Sequence, residues 1–182
     1  PQTLILSPEV SRIMEVLSCG DEEIRFIGGC VRDALLNRPV KDIDMATTHF
    51  PEETTRLLEA EGIKVVPTGV EFGTVTAVVN ERSFEITTLR QDISCDGRHA
   101  KVQYTKNWEE DAARRDFTIN ALSMTADGKI YDYYNGQDDL KQGIIRFVGD
   151  ANARIKEDYL RILRLFRFHA YYGQVPLDEK EI

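Results

Sequence analysis

Asp42–Ile43–Asp44 places two carboxylates one residue apart. On an extended strand alternate side chains share a face, so both acids converge while Ile43 turns toward the core. Carboxylates that close repel one another unless a cation lies between them. An oxygen set of this kind suits Mg²⁺, which typically keeps water and substrate phosphate in its shell. Two-metal phosphoryl or nucleotidyl transfer calls for a third acid. Glu85 is the candidate: in Ser83–Phe84–Glu85–Ile86–Thr87, Phe84 and Ile86 face one way and Glu85 the other. The same alternation describes any half-exposed strand, and an isolated Asp-x-Asp also describes a solvated edge.

Upstream lies Gly28–Gly29–Cys30–Val31–Arg32–Asp33. Two glycines where a strand meets a helix let backbone N–H groups approach a phosphate. Arg32, one turn on, can add a charge-assisted contact. Tight strand–helix turns use glycine for steric reasons too, so the pair gains meaning from the acids that follow it. Downstream, Arg114–Arg115–Asp116–Phe117–Thr118–Ile119–Asn120 could bind triphosphate and ribose, or form a surface cluster with Asp116 as a helix N-cap. Further on, Glu157–Asp158–Tyr159–Leu160–Arg161 continues through Arg164 and Arg167. Asp158, Arg161 and Arg164 recur at helical spacing and should share a stripe. Leu160, Leu163 and Phe166 form another that should pack into the core. An Asp and an Arg one turn apart offer an acceptor and donors together, the complement of a base's pairing edge.

The elements that must position these groups can be read from periodicity and punctuation. Ser11 to Leu17 predicts a short helix, Ile24 to Ile27 a strand, and Cys30 to Leu36 a helix ended by Asn37–Arg38–Pro39. A short strand around Ile43 and Met45 precedes a helix from Pro51 to about Glu61, with Gly62 as its cap. Strands are expected at Lys64–Val66, Thr74–Val79 and Phe84–Leu89, the last two joined by a hairpin turn at Asn80–Ser83. Gln91 to Asn107 is polar and reads as a long mobile loop. Helices at Trp108–Arg114 and Thr118–Met124, a turn at Asp127–Gly128, a strand at Ile144–Val148 and a long helix from Glu157 to Tyr171 complete the expectation. The order suits an α+β mixed sheet covered by helices, then the start of a helical domain.

Composition bounds the rest. The chain has 182 residues, of which 42% are hydrophobic and 30% charged, ordinary for a globular protein. No apolar run nears the roughly 20 residues of a membrane span, and the first residues lack a signal-peptide pattern. A cytoplasmic address, or an organellar matrix in a eukaryote, is the expectation, with no membrane partner. Cys19, Cys30 and Cys95 are too far apart in sequence for the short spacing of zinc sites, and read as reduced, mostly buried thiols. His49, His99 and His169 lack metal-ligand spacing. Tyr131, Tyr133, Tyr134 and Tyr171 could stack on bases or simply pack. A net charge of −8 argues against a broad nucleic-acid surface, yet residues 154–170 carry a local excess of +3. That helix suggests one polyanion-facing site, or else a solvated face.

Taken together these motifs resemble the class II branch of the CCA-adding and poly(A) polymerase family, within the polymerase-β-like nucleotidyltransferases. Gly28–Gly29 through Asp42–Ile43–Asp44 is similar to the family's first motif, and Arg114 to Leu122 to its RRDFTINAL element. Tyr131 to Gly149, with Asn135–Gly136 and Asp139–Leu140, resembles the turn motif, and Glu157 to Phe168 the ED-x-x-R helix. The resemblance implies a nucleotidyltransferase head over 1–145 and the start of an all-helical neck over 146–182. It implies that Asp42 and Asp44 bind catalytic Mg²⁺ in a two-metal mechanism; Glu85 remains the candidate third carboxylate on its strand position. Gly29 and Arg32 would contact the incoming nucleotide, and Arg115 and Asp116 would hold phosphate and ribose; Gly28 and Asn120, beside them in the same motifs, are further nucleotide-binding candidates. Asp158 and Arg161 would select the base of CTP or ATP, supported by Arg164 and Arg167. The implied activity is template-independent CCA addition to the 3′ end of tRNA with release of pyrophosphate. Arg90–Gln91–Asp92 and Asp96–Gly97–Arg98–His99 resemble the mobile loop of CCA-adding enzymes, which favours that reading over poly(A) synthesis or CC-only or A-only addition. The family's body and tail, which grip tRNA, are not found before Ile182, so a fragment is expected. A nucleotide-binding module without catalysis and a metal-dependent phosphohydrolase are the remaining readings.

Overall fold

A computed structural model describes the backbone of residues 6–96 and 99–178 and the side chains of 6–93 and 102–178. The elements follow in chain order: α1 (Pro8–Leu17), β1 (Ile24–Ile27), α2 (Gly29–Leu35), β2 (Asp44–Thr47), α3 (Pro51–Ala60), β3 (Lys64–Gly69), β4 (Thr74–Val79) and β5 (Arg82–Thr88). Then come β6 (Arg90–Asp96), β7 (His99–Tyr104), α4 (Trp108–Ala113), β8 (Ser123–Met124), β9 (Ile130–Tyr131), α5 (Gly136–Gln142), α6 (Ala151–Glu157) and α7 (Leu160–Tyr172). One mixed sheet has the order β3-β4-β5-β2-β1-β8-β9, in which β2 and β5 run parallel and the other pairs antiparallel. No described helix is long and apolar enough to cross a membrane.

The central strands are buried because their residues are apolar on both sides: all of Ile24–Ile27 is covered. α1 lays Val10, Ile13, Met14 and Leu17 against the sheet, the i, i+3, i+4, i+7 stripe of an amphipathic helix. Ser7 caps it by accepting from Val10 N at 3.4 Å. Arg25, almost fully buried in β1, is the exception to the apolar rule. Its guanidinium lies 4.0 Å from the Trp108 ring and 3.6 Å from the Tyr131 ring, and bonds Glu23 and the Tyr133 hydroxyl. Two of the tyrosines considered for base stacking are thus engaged inside the fold.

A second core gathers Phe117, Ile119, Leu140, Ile145, Phe147, Ala151, Ile155 and Leu165. It draws on residues from both sides of position 145. A Cβ on Gly136 would sit 2.2 Å from the Thr118 carbonyl oxygen, so only glycine lets α5 approach there.

Several expectations are corrected. The polar stretch expected as a loop from Gln91 to Asn107 is largely a two-stranded ribbon, β6 against β7, paired from Arg90↔Tyr104 to Asp96↔His99 with a register shift between Asp92 and Ser94. It forms its own small sheet, and the alternation of Ala100, Val102 and Tyr104 was the available signal. Thr118–Met124 is not one helix. A single 3₁₀ turn at Thr118–Asn120 gives way to β8, because Ile119 serves the second core while Leu122 and Met124 serve the first. Ile144–Val148 forms no ladder; Phe117 and Phe147 make an isolated bridge. The helix expected from Glu157 to Tyr171 is broken at Asp158, whose φ of −154° and ψ of 105° are extended. Leu160, Leu163 and Phe166, expected in the core, stand 64%, 67% and 50% exposed, and Leu165 is buried in their place. Cys30 is buried but Cys19 is exposed; Cys95 lies outside the described side chains.

Candidate active site

β2 begins at Asp44, so Asp42 lies just before the strand rather than within it. Ile43 between them is 8% exposed and packs into the core, which leaves Asp42 exposed and Asp44 half-buried. The third acid is brought in by tertiary pairing: β2 and β5 run parallel with Asp44 opposite Glu85. Burial raises the Asp44 carboxyl above its ordinary pKa, and the charges of Glu85 and Asp42 raise it further, while Arg115 opposes them. Nearby Cys30 is pushed to about 11 by burial, so its thiol stays protonated and unreactive at neutral pH.

Asp44 borders clefts on more than one side. One is lined by Lys41, Asp42, Arg82 and Glu85 along the edge of β5. Another runs along Gly28, Gly29, Arg115, Asp116, Asn120 and Arg164. Gly28 has φ +66° and ψ −130° at the end of β1, a conformation that favours glycine. Its N–H bonds the Leu122 carbonyl at 3.1 Å, which ties the turn to the segment carrying the arginines.

Those arginines are held by carboxylates. Asp111, 3% exposed in α4, accepts from Arg114 Nε at 3.1 Å, Arg115 Nη2 at 3.0 Å and the Arg90 N–H at 3.1 Å. Burial alone would raise the Asp111 carboxyl; the guanidiniums of Arg115 and Arg114 overcome it and hold the group below its usual range. Burial lowers Arg114 to about 10 despite Asp111. Arg32 is 8% exposed and bonds Asp33 twice and Asn120 once. Asp116 accepts from the Phe117 N–H at 2.7 Å, from Asn120 Nδ2 at 3.1 Å and from Arg164 Nε at 2.8 Å. The result is a cationic wall facing an anionic edge, with Asp44 where they meet.

The description of the poly(A) polymerase head domain matches residues 24–146, most of the chain. The chain belongs to this family. Human mitochondrial CCA tRNA nucleotidyltransferase 1 is 49% identical over 159 residues, covering 87% of this chain and 37% of that protein. The CCA-adding enzyme of Streptococcus sanguinis is 44% identical over 164 residues, 89% of this chain and 40% of that one. The solved structure of the Bacillus stearothermophilus CCA-adding enzyme in complex with CTP matches with a TM-score of 0.84 at 34% identity, covering 97% of this chain and 42% of that one. A tRNA nucleotidyltransferase complexed with a primer tRNA and an incoming ATP analog matches at TM-score 0.74 and 28% identity, over 93% of this chain and 47% of that one. The chain thus spans about two fifths of the length of the curated relatives it matches.

The expected base-reading residues, which lie beyond the matched segment 24–146, are placed unevenly. Arg161 and Arg164 line the guanidinium cleft; Asp158 and Arg167 are not among its lining residues. Asp158 accepts from the Leu160 N–H at 2.9 Å and so starts α7. Being extended, it cannot continue the Arg161–Arg164 stripe. Arg161 donates to Glu157 and to the Arg154 carbonyl, each at 2.6 Å, and Arg167 is exposed on α7. Sequence reasoning passed over Asp111, which organises Arg114 and Arg115. Its i, i+3 and i, i+4 spacing to two adjacent arginines was the available signal.

Proposed function

We propose that this head domain carries out template-independent transfer of CMP and AMP from CTP and ATP to the 3′ end of tRNA, releasing pyrophosphate. The observation that carries the reading is the position of Asp44, paired with Glu85 along one edge and bordering the guanidinium-lined cleft on another. A triphosphate in that cleft would present its α-phosphate at the junction. The names of the relatives supply the substrate class.

Mg²⁺ belongs to the proposal, with Asp42 and Asp44 as ligands, Glu85 as the third acid, and two ions as the working arrangement. The donor chemistry is compatible: Asp44 feels the charges of Glu85 and Asp42, and burial with that repulsion already disfavours charge on it. Among the described residues no three His, Cys, Asp or Glu side chains close a metal cage by themselves. Mg²⁺ needs none, since one or two carboxylates with water and phosphate oxygens typically complete its octahedron. When bound, the metal lowers the pKa of the attacking hydroxyl and neutralises the triphosphate. Arg115 supplies fixed positive charge to the phosphates, while Asp116 and Asn120 offer an acceptor and a donor to the ribose.

The test is product sequencing. The full-length protein is given α-labelled CTP and ATP with Mg²⁺ on tRNAs ending before CCA, after C and after CC. Completion of CCA on each, with pyrophosphate released, is the expected outcome. Runs of A on unrelated RNA would make the protein a poly(A) polymerase. Nucleotide binding that ignores Mg²⁺, with no transfer on any acceptor, would end the transferase reading.

A further inference from the structure

Hydrogen bonds around the nucleotide cleft close into a circuit that begins and ends on α7. The Tyr172 hydroxyl donates to Asp33 Oδ1 at 2.9 Å. Asp33 takes Arg32 Nε at 2.9 Å and Nη2 at 3.0 Å, a two-point grip. Arg32 Nη1 donates to Asn120 Oδ1 at 2.6 Å, and Asn120 Nδ2 donates to Asp116 Oδ1 at 3.1 Å. Asp116 Oδ2 then receives Arg164 Nε at 2.8 Å, back on α7.

The Tyr172 ring is gripped as well. The Arg32 guanidinium carbon lies 4.2 Å from its centroid and that of Arg38 lies 4.7 Å away. Arg38 also donates to the Tyr171 carbonyl at the end of the helix, where a cation is favoured by the dipole.

Arg32, Asn120, Asp116 and Arg164 line the proposed nucleotide cleft. Asp33 and Tyr172 do not, yet together they close one end of the circuit. A guanidinium bonded on both edges and covered by an aromatic ring has one orientation available, and that orientation sets the Asn120 amide. Resting on the nucleotide-binding reading above, we infer that Asp33 and Tyr172 are positioning residues for the incoming nucleotide. They lock Arg32 and hold α7 so that Arg161 and Arg164 face the cleft. The Arg164–Asp116 link uses groups the nucleotide itself needs, and Arg164 is half exposed, so it can exchange when substrate arrives. The Tyr172–Asp33 link uses none of them, and it stays closed as the fixed end.

The test uses the full-length protein and two readouts, equilibrium binding of CTP and ATP by calorimetry, and steady-state transfer. Tyr172→Phe keeps the ring stack and deletes only the hydroxyl hydrogen bond. It should raise Kd and KM for both nucleotides roughly five-fold, the worth of one net hydrogen bond, with kcat changed less than about two-fold. Asp33→Asn should weaken binding more, and the double variant should be no worse than Asp33→Asn alone, because both act on one contact. A general loss of stability would lower the melting temperature and depress kcat, without the selective rise in KM. Wild-type Kd and KM in Tyr172→Phe, or additive effects in the double variant, would overturn the inference while leaving the function intact. A wild-type protein that binds neither nucleotide would overturn both.

Discussion

On one side of Asp44 stand Asp42 and Glu85; on the other stand Arg32, Arg115 and Arg164, each already bonded to a carboxylate. Both regions concentrate like charge around the half-buried Asp44, although Asp42 and Glu85 are themselves exposed. The arginine side is neutralised from within, by Asp33, Asp111 and Asp116, so its donors are fixed before any ligand arrives. The acid side has no such arrangement: among the described residues no hydrogen bond to the carboxylates of Asp42, Asp44 or Glu85 is found, and Asp44 is driven toward its protonated form. That contrast suits the proposed roles: acids left free of protein partners could take a cation, while guanidiniums held by acids still have N–H groups to spare for an anion.

Substitutions on the two sides should therefore separate activity from stability. Asp44→Ala should cut transfer by about 10³-fold, the several kcal/mol that metal-assisted charge stabilisation supplies, while thermal melting stays at or above wild type. Equal losses of rate and melting temperature would dissolve the distinction. Asp111→Ala should do the reverse first. Removing the shared partner of Arg114 and Arg115, which are 15% and 17% exposed, leaves buried guanidiniums uncompensated and should cost about 3 kcal/mol in urea unfolding.

A smaller contrast lies in pH. Asp44 titrates above its ordinary 3.8 in the folded protein, so its favourable contribution is complete below that value and is lost as pH rises through the folded pKa. Asp111 titrates below 3.8, so its contribution is present above that value and lost as pH falls through its folded pKa. Without metal, Asp44→Asn should match wild type in acid and become the more stable protein as pH rises. Asp111→Asn should be the less stable at neutral pH and converge with wild type in acid. Stability curves against pH that run parallel for both variants would contradict these assignments.

Much of the site was legible because its motifs are local. Gly28–Gly29, Asp42–Ile43–Asp44 and Arg114–Arg115–Asp116 are short runs whose chemistry does not depend on distant chain. Strand β4 was recovered to the residue, since Thr74–Val79 is β-branched at every position but Ala77 and largely buried. The ribbon β6–β7 was missed because polar and charged residues dominate it, although Ala100, Val102 and Tyr104 alternate as a strand's residues do. The break at Asp158 was missed because helical spacing continues across it; there the Asp side chain instead takes the Leu160 N–H two residues on, a local bond of the kind that competes with helix. Leu160, Leu163 and Phe166 follow a helix-core pattern correctly, but nothing among the described residues covers them.

By itself the sequence determined which residue types are available and in what local order: acids flanking an apolar residue, paired glycines, and arginines next to acids. Only the tertiary structure decided which acids meet and which arginines are tied. Glu85 reaches Asp44 because β2 and β5 pair in parallel, and Tyr172 reaches Asp33 across 139 positions of chain. Local spacing fixes direction along one element, but proximity between elements depends on register and packing. Those follow from the whole set of buried contacts, not from any one segment.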